Sequence, residues 1–523
     1  MGTNVFCLLR IFNSQKKLKI MSLSKKLISN SAYLFIDWFL VSVIGFLYWF
    51  VAGKTLLPEE YGIVSTSINF ATFLSTLSLL GLNSAVWKLL PEYQARNEKG
   101  KIKSLIKFSF WLSFLINIIL SVVLIAASYL LSSILKIPFD ATLMIPIAMI
   151  SLTLASISGT IIYAFQNMKF LLFSDVYGGL SKLLIATVLI FLGFKYLGPL
   201  IGFVVCYFLI FVLRISKTRF ERKEAKIDKK EILFEYAFPA FISSLAWSIF
   251  SSGQYALLSI IQNPRVTGIF TVALIITIPI VALPNTLASA LLPIISFLSA
   301  NHQTKNQQKR LIELVARYSF FFSLPIALFL IIFSKQVIVI FSSEKYLEAS
   351  SFFPILAIAS VIYGLGNVFL SNIYAIGKTK LNRNIVLLTV FVFLVLVYPL
   401  TKKFSAFGMS VSYFISISVL SLASYFYIRK FLNVELPKRD FLKIFVSSII
   451  AFTFLYFTSK FTSGLLIDFV LLFFASFLYL FLLALLRFYK KEDVKVLSYV
   501  EERMPALKKS IHKVKKFLEI FVE

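Results

Sequence analysis

The chain of 523 residues is poor in the side chains that carry most enzyme chemistry. It has two cysteines, Cys7 and Cys206, and two histidines, His302 and His512. Cys7 lies in a hydrophilic N-terminal tail and Cys206 in an apolar segment, so no disulfide framework is implied. The histidines sit in separate hydrophilic connections, so neither a zinc cluster nor a histidine-based triad can be assembled, and no metal site is expected. Charge is also scarce: 15% of residues are charged and only 24 are acidic. Alternating apolar segments of about ten residues, the mark of a transmembrane β-barrel, are missing. A cleaved leader is not expected either, because the apolar run from Val5 to Phe12 is broken by Arg10 and no small-residue cleavage site follows. Met1-Gly2 lacks Ser or Thr at position 6, so the myristoylation pattern fails. Met21 is a candidate second start, which would make the first twenty residues dispensable.

What remains is apolar. Hydrophobic residues make up 59% of the chain and phenylalanine alone contributes 57, against roughly 45–50% apolar in soluble domains. Segments of about twenty apolar residues recur along the whole length, enough to cross a bilayer as helices. The expected fold is an all-α polytopic membrane protein of about 14 transmembrane helices. They fall near 32–52, 61–84, 108–131, 142–164, 176–195, 198–213, 237–261, 268–298, 318–341, 351–376, 384–400, 405–428, 444–462 and 464–487.

The net charge of +29 is not the footprint of a nucleic-acid binder, because the cations lie in alternate gaps between apolar spans. Of 53 Lys and Arg residues, 44 fall on one side. The nine others are Lys54, Lys136, Lys195, Arg265, Lys335, Lys345, Lys402, Lys403 and Lys460. This split places both termini in the cytoplasm and requires an even number of spans. A multi-pass plasma-membrane protein is expected, with no nucleic acid among its partners.

Pro58 and Gly62 match Pro264 and Gly268, Leu105-Ile106 matches Leu311-Ile312, and Gly202, Val205, Tyr207 and Phe208 match Gly408, Val411, Tyr413 and Phe414. The offset is 206 residues in all three places, which argues for a duplicated unit of six helices. An even helix number makes the two repeats parallel. The expected organisation is a tail at 1–31, a six-helix lobe at 32–213, a basic cytosolic linker at 214–235, and a second six-helix lobe at 236–428. Helices 13 and 14 at 429–488 and a basic tail at 489–523 follow. In that tail Leu507, Ile511, Val514, Leu518 and Phe521 recur at helical spacing among lysines. It reads as an amphipathic helix lying on the anionic inner leaflet, or docked on the protein's own loops.

The stretch at 56–93 carries a more specific signal: Leu57-Pro58-Glu59-Glu60-Tyr61-Gly62, Leu80-Gly81-Leu82, Ala85, Lys88 and Pro91-Glu92-Tyr93. Together with Gly268-Ile269-Phe270, Val272-Ala273, Tyr346, Ala349 and Pro354-Ile355-Leu356, it resembles the oligosaccharide flippase family of polysaccharide biosynthesis proteins. That family lies within the multidrug/oligosaccharidyl-lipid/polysaccharide exporter superfamily, and the resemblance covers about residues 30–430. It implies two six-helix bundles around a central cavity, working by alternating access. It also implies that a lipid-linked oligosaccharide moves from the cytoplasmic to the outer leaflet, sugar in the cavity and lipid tail in the bilayer, without covalent chemistry. One departure stands out: many relatives carry an Asp-Arg pair where this chain has Gln254-Tyr255.

The candidate sites follow from charge and polarity inside the spans. Asp37 is the acidic residue expected well inside a span, and a carboxylate there must be paired, hydrated or protonated. Its functional reading is a proton or Na⁺ coupling site; no other cofactor is expected. Drug exporters of the same superfamily carry a cation-linked Asp in helix 1, which favours this reading. The bland reading is a helix-end residue that reaches water. Lys88, Lys182 and Arg317 are the cations that a lipid diphosphate would need, set against ordinary positive-inside anchoring. Ser65, Asn69, Thr72 and Thr76 share one helix face, as do Ser244, Ser248, Ser251 and Tyr255, and Ser360, Gly364, Asn367, Ser371 and Tyr374. Such faces serve sugar hydroxyls or helix packing. Asn69, Asn367 and Gln254 are the amides singled out for substrate. Pro279, Pro284 and Asn285, with Pro293, mark helix 8 as a bent, gating helix. Three rival readings remain at this level: an exporter of drugs or other lipids, a membrane glycosyltransferase or polymerase, and a scaffold for glycan-assembly enzymes. The short outer connections, with Glu344, Lys345 and Glu348 in the longest, offer an enzyme little to work with.

Overall fold

The computed structural model describes residues 30, 32–217, 224–299, 304–459, 465–490, 512 and 515. Cys7, His302 and the five apolar residues of the expected tail helix lie outside them. All regular structure among the described residues is helical. The order is α1 (Ala32–Thr55), α2 (Pro58–Leu79), α3 (Leu82–Ala95), α4 (Lys99–Ala126), α5 (Ser128–Leu135), α6 (Phe139–Ala164), α7 (Met168–Leu189) and α8 (Leu197–Lys217). Then come α9 (Lys229–Ile261), which holds π-helical turns at Ile232–Ala237 and Ile249–Gly253, α10 (Pro264–Ile276) and α11 (Ile278–Ser299). The chain continues with α12 (Lys305–Ile332), α13 (Ser334–Phe341), α14 (Phe353–Ala375), α15 (Thr379–Leu432), α16 (Lys438–Ser459) and α17 (Leu465–Leu485).

Twelve of the described helices are long and apolar enough to cross a membrane, and Pro264–Ile276 and Val470–Leu485 are shorter apolar helices. Two expected spans account for the difference from fourteen: 384–400 merges with 405–428, and 464–487 is represented by the shorter helix Val470–Leu485; other boundaries shift without changing the count. The expected spans 384–400 and 405–428 form one element of 54 residues, α15, interrupted where Ser405 takes φ 55° and ψ −135°. The expected span 268–298 is split at Thr277, two residues before Pro279. The span expected at 176–195 begins earlier, at Met168, because the Asn167 side chain accepts from the Phe170 N–H and caps the helix there.

Contacts divide the chain into two units. One comprises residues up to 275 with 339–348 and 394–409; the other comprises 276–338, 349–393 and the chain from 410. These units are not the two sequence repeats. The first has a core of Leu82, Leu89, Leu90, Leu105, Ile106, Ile161 and Ile232, where α3, α4, α6 and the start of α9 meet. In the second, Ile444, Phe452, Leu455, Ala475, Tyr479 and Phe488 join α16 and α17 to Phe320, Phe321 and Phe333 at α12.

Both the buried and the exposed positions are those of a chain solvated by lipid. On α4, Ser109, Ser113, Asn117 and Ser121 recur every four residues and are buried, while Trp111, Leu115, Ile119 and Val122 are exposed. A water-soluble helix shows the reverse. In a bilayer, small hydroxyl residues let helices approach closely and apolar side chains meet the hydrocarbon. The linker after α8 returns to α4: Lys103 and Lys107 approach Glu224 at 3.4 and 2.9 Å, and Ser104 donates to the Ala225 carbonyl at 2.7 Å. The hydrogen bond from Lys107 holds the Glu224 carboxyl below its ordinary value.

Candidate functional site

The Pro-Glu-Glu-Tyr-Gly run is a helix start built for a close crossing. Pro58 takes the first helical position, where its missing N–H is not needed. Glu60 reaches back to accept from the Leu57 N–H at 3.0 Å, and Glu59 and Glu60 together suit the positive end of the helix. Tyr61 is fully buried between Trp49 and Tyr346, with ring centroids 5.1 and 5.8 Å away. Gly62 has no room for a side chain, since a Cβ there would run into the Pro264 carbonyl oxygen. Gly268 faces the Pro58 carbonyl in the same way. One turn on, Thr271 Oγ1 donates to Ser65 Oγ at 3.0 Å, across 206 residues of sequence. Pro58, Gly62 and Ser65 are therefore in contact with the segment 264–271, 206 residues on.

Around this crossing the short connections are tied down. Lys54 Nζ donates to the Val339 carbonyl at 2.8 Å and Lys136 Nζ to the Gln262 carbonyl at 2.6 Å. Gln262 Nε2 donates to the Thr401 carbonyl at 2.8 Å, and Ser259 Oγ to the Leu135 carbonyl. The Tyr346 hydroxyl donates to the Leu56 carbonyl at 3.1 Å; burial raises its pKa, so the phenol stays a neutral donor. The polar face of α2 is spent on helices. Asn69 Nδ2 donates to the Ser65 carbonyl at 2.8 Å, and Thr76 Oγ1 reaches Ser248 Oγ of α9 at 3.2 Å. Gln254 is buried; its Nε2 donates to the Ser251 carbonyl at 3.0 Å, while its Oε1 has no hydrogen-bond partner.

A second group lies on the basic side of the first unit. Arg214 of α8 is 5% exposed. Its guanidinium reaches Asp175 of α7 at 2.6 Å, Ser174 Oγ at 3.0 Å and the Ala155 carbonyl of α6 at 2.9 Å. Gly159 leaves the space that the guanidinium fills. Asp37 of α1 is half-buried, its Oδ1 has no hydrogen-bond partner, and the charges acting on it are those of Asp175 and Arg214. Asp37 is thus not the only acid inside a span: because Asn167 moves the helix start, Asp175 lies two turns into α7. The guanidinium pairs directly with Asp175, while Asp37 feels both charges without its Oδ1 hydrogen-bonding to either. In the same α7, the Lys182 ammonium stands 4.6 Å over the Tyr48 ring, whose hydroxyl donates to the Pro199 carbonyl at 3.0 Å. Lys88 is exposed on α3, past a break where Leu80 and Gly81 take φ of 45° and 75°, and lies 4.3 Å over the Tyr236 ring.

In the second unit the structure joins residues that the sequence marks only singly. Asn367 Nδ2 of α14 donates to Asn285 Oδ1 of α11 at 2.8 Å, and Ser371 Oγ donates to Asn367 Oδ1 at 3.4 Å. Pro284 packs on Gly364, and Pro279 stands just inside the start of α11. Arg317 is 2% exposed and does not face open space. It pairs with Asp440 of α16 at 3.2 Å, donates to the Phe488 carbonyl and lies 4.1 Å over the Phe488 ring. Its charge is used to hold α16 and the end of α17 to α12, which argues against its expected role as a substrate cation. Neither Asp175 nor Asp440 is marked in the sequence, since each was read into a hydrophilic connection at a helix start.

By sequence, no curated protein matches the chain. Among solved structures it is similar to a lipid II flippase MurJ in an inward closed conformation, with a TM-score of 0.69 and 18% identity over 86% of this chain and 97% of that one. It is also similar to an inward-facing multidrug resistance MATE family transporter of the MOP superfamily, with a TM-score of 0.63 and 14% identity over 75% of this chain and 94% of that one. A MOP superfamily transporter from Pyrococcus furiosus gives a TM-score of 0.57 and 13% identity over 78% of this chain and 96% of that one. These matches are membrane transporters and flippases, and they show that the chain shares their fold. The model of the polysaccharide biosynthesis protein family matches residues 27–299, more than half of the sequence, and the chain belongs to that family.

Proposed function

We propose that this protein is a flippase that carries a lipid-linked oligosaccharide, on a polyprenyl or dolichyl phosphate or diphosphate, from the cytoplasmic to the outer leaflet. The observation that carries the reading is the reach of the structural likeness. The match to the lipid II flippase spans 86% of the chain, against 75% and 78% for the drug exporter and the archaeal transporter above. Membership in a polysaccharide biosynthesis family points to the same cargo class. In this reading the basic side is cytoplasmic and the protein sits in the plasma membrane. Lys182 meets the phosphate, Gln254 offers its unpartnered Oε1 to a sugar hydroxyl, and proton or Na⁺ binding at Asp37 drives the cycle.

The test is translocation of a fluorescent lipid-linked oligosaccharide in proteoliposomes, with and without a proton or Na⁺ gradient. The wild type should respond to the gradient and Asp37→Asn should not. Lys182→Gln should need roughly tenfold more substrate for half-maximal transport, the worth of one charge-assisted hydrogen bond. Failure of the wild type to move any lipid-linked glycan would overturn the proposal. Export of free drugs instead would place the protein with the multidrug transporters it resembles in fold.

A further inference from the structure

A cavity of about 640 Å³ opens on the basic side of the second unit, where α15 ends, α16 begins and the chain leaves α17. Five cations line it: Arg429, Lys438, Arg439, Lys443 and Lys490. They face two acids, Glu435 and Asp440. Asp440 is already neutralised, by Arg317 at 3.2 Å and Lys490 at 2.7 Å. Among the described residues, Arg429, Lys438 and Arg439 are in no ion pair, and Lys443 gives its ammonium to the Arg487 carbonyl at 2.8 Å. Among the described residues, the cavity therefore keeps positive charge that its acids do not consume. The amino end of α16 lies in the lining and adds its dipole to that charge.

The surface one turn deeper changes character. Phe426 of α15 is 65% exposed, Leu442 of α16 is 63% exposed, and Phe445 is 47% exposed. Tyr425, an interfacial type of residue, stands at the boundary and lines the cavity. A soluble anion would need the charges but not the apolar apron beside them. A lipid needs both, with its phosphate above and its chains below.

We propose that this cavity holds the phosphate headgroup of an anionic glycerophospholipid from the leaflet on the basic side, with its acyl chains on Phe426, Leu442 and Phe445. Such a lipid bridges the end of α15 to α16 and to the chain after α17. The site holds whether or not the protein flips a glycan lipid, because none of its residues belongs to the proposed transport path.

Native mass spectrometry of the full chain, released from detergent with phosphatidylglycerol or phosphatidylcholine added, tests this. Phosphatidylglycerol should bind the wild type in preference to phosphatidylcholine. The variant Arg429→Gln, Arg439→Gln, Lys443→Gln should lose about a hundredfold in affinity, roughly fivefold per charge. The same three positions as Arg429→Lys, Arg439→Lys, Lys443→Arg should keep binding, which separates loss of the site from loss of the fold. A control with Lys107→Gln and Lys230→Gln, on the first unit, should bind as the wild type does. Equal affinity of the wild type and the triple Gln variant, or equal binding of the two lipids, would overturn the proposal. So would millimolar inorganic phosphate that displaces the lipid by occupying the cavity, since that would mark a site for a soluble anion.

Discussion

Two buried arginines do the same structural work with opposite leftovers. Arg214 ties α6, α7 and α8 through Ala155, Ser174 and Asp175. Arg317 ties α12 to α16 and to the end of α17 through Asp440 and Phe488. A guanidinium suits this task because its planar fork can satisfy several acceptors at once and so offset the loss of water. The surplus differs. Near Arg214 lies a further carboxylate, Asp37. Asp440 has a second cation, Lys490, and more cations follow in the cavity lining. The ion pair builds the joint; the neighbouring charge is negative in the first unit and positive in the second.

The largest effect should come from breaking either joint. Arg214→Gln strands Asp175 and Asp37, and Arg317→Gln strands Asp440. Each should cost about 3–5 kcal/mol, as expected when one partner of a buried pair is removed. Thermal unfolding in detergent would read this, and variants as stable as the wild type would show that the pairs are not joints. Removing the surplus instead should be mild. Asp37→Asn and Lys490→Gln, the latter 52% exposed, should each change stability by less than about 1 kcal/mol. A loss as large as that of the arginine variants would erase the distinction between joint and surplus. The smallest effect belongs to the exposed pair of Lys107 and Glu224, the control for both buried ones. Glu224 titrates below its ordinary value when folded, so the linker contact is present at neutral pH and is lost as pH falls through that lowered value. Hydrogen exchange at 100–104 and 224–228 should rise there without change in α6 to α8.

The helices were legible from apolar run length, because it is written along the chain. Gly62 and Gly268 could be matched on paper by their offset of 206, although their contact could not. Asn285 and Asn367 were each visible as a polar residue in a span. Their hydrogen bond was not, because it joins residues 82 positions apart. The acids were the main loss. Asp175 passed for a connection residue because hydropathy begins to rise only after it, while the helix begins at the Asn167 cap. Arg317 looked like a free cation because its partner lies on α16, outside the duplicated unit. Local pattern reports which side chains are costly to bury; only packing reports which of them have been given a partner.

The crossing at Gly62 and Gly268 also sets how much change this contact can absorb. Each glycine lies against the other segment's backbone: a Cβ at Gly62 would meet the Pro264 carbonyl, and one at Gly268 the Pro58 carbonyl. A backbone atom cannot turn aside as the end of a side chain can, so even alanine at either position would force α2 and α10 apart and strain the Ser65–Thr271 hydrogen bond between them.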